Sequence, residues 1–174
     1  MAEKNIDIEK DYRDILKRKA KRLSKDELKK EIIKFLSENK ICTLATCANN
    51  IPRSTPLRYR NKGLAIYIFT EGGGKLKNIL ENPNVSVSLY GDYSGFESVK
   101  GLQMWGKAEI IRPEDGQKYI DAKNIIKSEE REDLKRLGVK ARSDMKIIKI
   151  EVSKARYLNF PDGILNQAWS EEES

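Results

Sequence analysis

Residues 41–70 read ICTLATCANNIPRSTPLRYRNKGLAIYIFT, and their periodicity decides the fold. ICTLATCA, residues 41–48, is small, β-branched and uncharged, the composition of a strand buried on both faces. Asn49-Asn50 and Asn61-Lys62-Gly63 are turn sequences that tolerate left-handed backbone, so residues 41–48, 51–60 and 64–70 read as a three-strand meander. Pro52 and Pro56 lack an N–H for a ladder, which puts the second strand at an edge or makes it irregular.

Outward from this core, Ser24 followed three residues later by Glu27 is a capping-box pattern. It opens a helix that carries Leu28, Ile32, Ile33, Phe35 and Leu36 and ends near Asn39. Upstream, Ile8, Tyr12, Ile15, Leu16 and Leu23 predict an amphipathic helix over 5–22. Downstream, EGGG at 71–74 interrupts the strands, KLKNILEN predicts a short helix stopped by Pro83, and VSVSLYG resumes a strand. KGLQMWGKAEIIR at 100–112 is a fifth strand, Pro113 opens a helix to 127, a short charged helix follows near 129–137, and MKIIKIEVSKARYLNF is a sixth strand. The connections are mostly too short for parallel crossovers, which makes the expected architecture an antiparallel barrel with helical decoration.

With 174 residues the chain suits one full-sized domain. It divides into a basic amphipathic helix at 1–24, a barrel at 25–160 and a C-terminal tail at 161–174. The net charge of +7 is concentrated: residues 13–30 hold nine Lys/Arg against three Asp/Glu. Such a run is more often a solvated helix face than a nucleic-acid patch. No apolar run approaches the roughly 20 residues of a bilayer span, and MAEKNIDIEKDYRD is unlike a signal peptide. A soluble cytoplasmic protein is expected.

The chain has no histidine and two cysteines. Cys42 and Cys47, five apart in one strand, stand about 16 Å apart on opposite faces and cannot bridge. Without histidine there is no Ser-His-Asp triad, no His-ligated haem and no His general base, and a zinc site lacks ligands. No metal is expected.

The residues with chemical promise lie around the second and third strands. Arg53 and Arg58 flank Ser54 and Thr55, although a regular strand would turn the two arginines to opposite faces. Thr70 closes the third strand, and Gly72, Gly73 and Gly74 lead to Lys75 in the first turn of a helix. Glycines before a helix N-terminus present unpaired N–H groups, and the lysine adds charge, as an anion or phosphate site requires. The spacing is not that of a P-loop. Gln103 and Trp105 share a face of the fifth strand.

The order of these segments, with F-T-x-x-x-x-K-x-x-x-[IL]-x-x-N-P ending at Asn82-Pro83, resembles the flavin-binding split barrel of the pyridoxamine 5'-phosphate oxidase-like superfamily over roughly 28–160. The resemblance implies a mainly β fold with helices, a six-stranded antiparallel split β-barrel of Greek-key, FMN-binding type with an N-terminal helical extension. By the same resemblance, Arg53, Ser54 and Thr55 would contact the flavin phosphate and ribityl chain, with Arg58 at a second basic position. Phe69 and Thr70 would lie along the ring, Gly74 and Lys75 would reach the phosphate, and Gln103 would come from the other subunit of a homodimer. Trp169 has two open roles, stacking on the flavin or substrate, or pinning the C-terminus to the barrel.

The resemblance thus implies an FMN-dependent oxidoreductase with flavin at a subunit interface, acting on a small-molecule substrate with NAD(P)H or a similar donor. A flavin carries its own redox chemistry, so the absence of acid–base side chains is no obstacle, and no catalytic residue is singled out. The tail lacks the arginine and histidine motif of pyridoxamine-phosphate oxidases proper, which argues against that substrate. The alternatives are a reductase using deazaflavin (F420) and a non-catalytic flavin-binding or nucleic-acid-associated module.

Overall fold

The computed structural model describes residues 14, 16, 18–127, 136–138 and 144–172. The expected helix over 5–22 and the short helix near 129–137 lie largely outside these residues. Helix α1, Lys25–Glu38, begins as the capping box requires: the Ser24 hydroxyl accepts from Glu27 N, and the Glu27 carboxylate accepts from Ser24 N at 2.8 Å. The Ser24 hydroxyl, which donates to the Glu27 carboxylate at 2.7 Å, and after it the Ser24 N–H hold that carboxyl below its ordinary pKa. Leu28, Ile32, Phe35 and Leu36 recur on one face and are buried.

Among the described residues eight strands form one antiparallel sheet: β1 Ile41–Ala48, β2 Ile51–Arg58, β3 Arg60–Lys62, β4 Ala65–Thr70, β5 Asn84–Tyr90, β6 Lys100–Ile111, β7 Lys146–Asn159 and β8 Ile164–Ser170. Their order is β2-β1-β5-β6-β7-β4-β3, with β8 beside β7. Helix α2, Gly74–Glu81, crosses from β4 to β5, which returns beside β1; this is a Greek-key connection. Helix α3, Gln117–Ile126, lies between β6 and β7 in the chain, and it covers Tyr67, Ile111 and Ile147.

One continuous segment closes the barrel. β2 pairs with β1, and after the single residue Tyr59 the chain becomes β3 and pairs with β4. Tyr59 is buried; its hydroxyl donates to the Leu36 carbonyl at 2.6 Å and its N–H donates to the Lys40 carbonyl at 3.0 Å. The six-membered ring expected from the sequence is therefore present, with β2 and β3 acting as one long strand. The count rises to eight because that strand divides at Tyr59 and because β8 is added.

β8 lies where the sequence suggested a tail. Its alternation is weak, and it forms because β7 offers a free edge: residues 146–150 of β7 pair with β4, and residues 154–159 pair with β8. The barrel is split between those two stretches, and α1 fills the opening, with Phe35 against Tyr157 at 5.4 Å between ring centroids.

β1 differs from the expectation of burial on both faces. Cys42, Leu44 and Thr46 point inward and are buried, whereas Thr43, Ala45 and Cys47 on the outer face are half-exposed. Strand alternation sets this pattern, since α2 packs against β1 on one side while no described element covers the other.

Candidate functional site

β2 pairs with β1 without a bulge, so its side chains alternate strictly. Arg53 is opposite Thr46, Thr55 opposite Leu44 and Leu57 opposite Cys42, which turns this set toward the inner side. Ser54, Pro56 and Arg58 belong to the outer side. Thr46 is buried, and its hydroxyl accepts from Asn78 Nδ2 of α2 at 3.2 Å, which fixes that helix against β1.

The start of α2 depends on glycine. Gly72 and Gly73 have φ of 155° and 97°, values that L side chains rarely adopt, and Gly73 is the N-cap. A glycine N-cap brings no side-chain acceptor, so the first N–H groups of α2 carry no side-chain cap. The Arg53 guanidinium lies against Gly74: a Cβ at that position would stand 2.8 Å from its Cζ, Nε and Nη2. The Lys75 ammonium donates to the Gly72 carbonyl.

Two cations thus converge on an uncapped helix N-terminus. Among the described residues neither forms a salt bridge. The pKa of Lys75 is lowered by partial burial and then by the charge of Arg53, with Glu71 opposing. Electrostatic strain of this kind is relieved by an anion. The donor set is the chemistry a phosphate group fits: a guanidinium, an ammonium and aligned backbone N–H groups.

The remaining sequence candidates are distributed around this cradle. Thr70 is buried at the end of β4, next to the glycine turn. Arg58 and Phe69 meet elsewhere, in a cavity of about 90 Å³ on the outer side that Tyr59, Arg60, Tyr67, Ile126 and Met145 also line. The regular backbone of β2 is the reason that the two arginines separate. Gln103 is exposed on the outer face of β6, in register with Ser88 of β5 and Arg156 of β7.

Trp169 stands inside the main core cluster, 5% exposed, with Lys29 of α1 5.6 Å from its ring centroid. Its Nε1 is buried and has no hydrogen-bond partner. The indole pins β8 to α1.

Tyr59 and Asn78 position the site, and the sequence alone did not single them out. A tyrosine between Arg58 and Arg60 carries no pattern that distinguishes it from an exposed strand residue.

Residues 28–159 match the family model described as pyridoxamine 5'-phosphate oxidase. The chain belongs to the pyridoxamine 5'-phosphate oxidase family. General stress protein 26 of Bacillus subtilis is 30% identical over 89 residues, which cover 51% of this chain and 63% of that protein. The chain therefore spans less than two thirds of that curated relative.

Three solved structures share the fold. A conserved hypothetical protein from Mycobacterium tuberculosis superposes with a TM-score of 0.61 at 19% identity, covering 76% of this chain and 84% of its own. An FAD-binding protein from Mesorhizobium loti gives 0.59 at 21% identity, with 72% and 87% covered. General stress protein 26 from Bacillus anthracis gives 0.58 at 22% identity, with 82% and 98% covered. At these identities the likeness concerns the split barrel itself. Among the described residues no group of three or more Cys, Asp or Glu side chains could hold a metal ion, and no helix is long and apolar enough to cross a membrane.

Proposed function

We propose that this family member binds the phosphate of a flavin mononucleotide in the cradle of Arg53, Gly74 and Lys75 and works as an oxidoreductase on a small substrate. The observation that carries the reading is the position of the Arg53 guanidinium over Gly74, beside Lys75 and the uncapped start of α2. A terminal phosphate with nearly two negative charges would neutralise both cations and accept from the helix N–H groups. The FAD-binding relative from Mesorhizobium loti supports a flavin as the class of ligand.

When bound, a flavin supplies two-electron redox chemistry. The side chains of this chain hold and orient it: Arg53 and Lys75 fix the phosphate, and Thr55, on the same face of β2 as Arg53, offers a hydroxyl beside it. The donor in this reading is NAD(P)H or a similar reductant.

The reading includes a homodimer. Thr43, Ala45, Ser86, Ser88 and Gln103 lie in register across β1, β5 and β6 on the outer face. All are uncharged, and no described element covers them. A second copy seated there would bring its cofactor within reach of Gln103.

Titration of the purified chain with FMN, FAD and deazaflavin F420, followed by flavin fluorescence, tests the proposal. The expected result is saturable quenching, tightest for FMN, with a yellow protein after gel filtration at the mass of a dimer. Absence of quenching with every flavin overturns it. Tighter binding of F420 than of FMN moves the site to the deazaflavin reading. Arg53→Ala should weaken FMN binding by about 1.5–3 kcal/mol, the range of a charge-assisted hydrogen bond.

A further inference from the structure

The helix expected over 5–22 has ended by residue 20, and residues 20–24 run without helical structure past the β7–β8 turn and along β8. Several contacts fix them there. Lys21 N donates to the Gly163 carbonyl at 2.8 Å, and the Gln167 amide clamps Leu23, accepting from its N–H at 3.0 Å and donating to its carbonyl at 2.6 Å. The Leu23 side chain is buried in the main core. Gly163, with φ of 72°, comes so close that a Cβ there would stand 2.0 Å from the Lys19 carbonyl oxygen. Glycine admits the chain at that distance, and a basic segment held in this way is a fixed surface and not a free tail.

The side chains on this backbone are cationic. Arg18, Lys19, Lys21, Arg22 and Lys25 are all exposed. Lys25 Nζ donates to the Glu171 carbonyl at 3.0 Å, and Lys19 pairs with Glu97 at 3.7 Å. Glu27, which faces Lys21, accepts from Ser24 in the cap of α1. Among the described residues Arg18, Lys21 and Arg22 form no salt bridge. A row of cations with so little compensation suits an anionic polymer, whose binding releases counterions.

An aromatic ring stands at the start of the row. Lys19 Nζ is 4.8 Å from the Phe160 ring centroid, and Phe96 meets the same ring edge-on with 4.6 Å between centroids. Phe160 is buried, whereas Phe96, in the short turn Phe96–Ser98 between β5 and β6, is 46% exposed. Cations that track phosphates, beside a ring on which any base can stack, are the combination that holds single-stranded nucleic acid. The row also lies apart from the outer face of β1, β5 and β6 on which the homodimer reading rests. It leads into α1, which fills the barrel opening and touches β8 and β3.

We propose that residues 18–25 and Phe96 form a docking strip for single-stranded nucleic acid, bound without regard to sequence. Its phosphates are held by the five cations, and one base stacks on Phe96. The strip uses no residue of the Arg53–Lys75 cradle and does not depend on the flavin reading.

The probe is a fluorescein-labelled oligothymidylate of about 16 nucleotides, titrated with the full chain and followed by anisotropy. Saturable binding is expected, weakening with salt at a log–log slope of about −0.7 for each phosphate neutralised. Lys21→Gln/Arg22→Gln should weaken binding at least about tenfold and reduce that slope by about 1.4, two contacts' share. Both side chains are exposed, so this variant should keep the parent melting temperature. Phe96→Ala should weaken binding at least about fivefold with the slope unchanged, because stacking releases no ions. Lys40→Gln/Lys62→Gln removes the same charge from exposed lysines at the far end of α1, about 21 Å along the helix, and should stay within about twofold of the parent.

No saturable binding of the oligonucleotide overturns the proposal. So does an equal loss in the Lys40/Lys62 control, which would reduce the attraction to net charge. Tighter binding of a duplex of the same length, or binding of phosphatidylglycerol vesicles without binding of the oligonucleotide, would assign the strip to another partner. A Lys21→Gln/Arg22→Gln chain that differs in mass from the parent on gel filtration would place the strip in a subunit contact, and that too overturns the proposal.

Discussion

The guanidinium of Arg53, on β2, lies so close over Gly74, at the start of α2, that a methyl group on Gly74 would stand 2.8 Å from it. The two residues are 21 positions apart, and their contact exists because α2 is tied to β1 through Asn78 and Thr46 while β2 pairs with β1. The conformation of Gly74 itself is ordinary for an L residue; the space above it is not.

Gly74→Ala should therefore separate binding from folding. The added methyl displaces the end of a flexible side chain, so stability should change by less than about 1 kcal/mol, with a gain from the alanine expected in a helix. FMN affinity should fall by about 1.5–3 kcal/mol, the contribution of one charge-assisted bond. Thermal melts of the apo chain and fluorescence titrations measure the two quantities.

Lys75 gives a pH dependence whose sign follows from its lowered pKa. At pH below the folded value it is charged in both states, and its partly buried charge beside Arg53 opposes folding. As pH rises through that value toward the ordinary 10.5, the folded state releases the proton first and the opposition fades, so apo stability should rise across this window. FMN affinity should move the other way, because the ligand needs the ammonium. Dissociation constants measured at increasing alkaline pH should weaken earlier in the parent than in Lys75→Gln, which lacks the titrating group.

Trp169 carries a buried N–H without an acceptor inside an otherwise well-packed core. Trp169→Phe removes that donor and retains an aromatic ring, so unfolding in urea should show a stability within about 1 kcal/mol of the parent. Trp169→Ala should cost about 3–5 kcal/mol through the cavity it leaves. A loss above about 2 kcal/mol in the phenylalanine variant would show that the N–H is bonded.

Tyr59→Phe tests the closure of the barrel. It leaves the Leu36 carbonyl at the end of α1 without the hydroxyl that donates to it at 2.6 Å. The expected cost is about 1–3 kcal/mol in urea unfolding, with the fold retained. A neutral variant would show that the hydroxyl contributes nothing to holding α1 against the strand crossing.

Local signals were legible wherever a residue's neighbours in the chain determine its conformation. The capping box at Ser24 and Glu27 appears as read, and Asn49 and Asn50 adopt the left-handed turn, with φ of 50° and 61°. Gly72 and Gly73 adopt the positive φ that releases the start of α2. The meander followed from these turns, and the placement of Lys75 in the first turn of α2 followed from the glycines before it.

Long-range features were not legible for the opposite reason. β8 has little alternation of its own and is a strand because, among the described residues, the edge of β7 beyond β4 has no other strand partner. Arg58 and Phe69, which the resemblance placed at a second basic position and along the flavin ring, sit together in a cavity away from Arg53 because β2 runs without a bulge and turns Arg58 to the other face.

The sequence by itself determined helices α1 to α3, the strands of the six-membered ring, their antiparallel connections and the family, since caps, turns and periodicity act over a few residues. Only the tertiary structure decided that β2 and β3 close the barrel at Tyr59, that Trp169 is a core residue, and that Arg53 meets Gly74. Each of those depends on which strands share a ladder, and in a sheet that choice is made by distant edges and a common core rather than by adjacent residues.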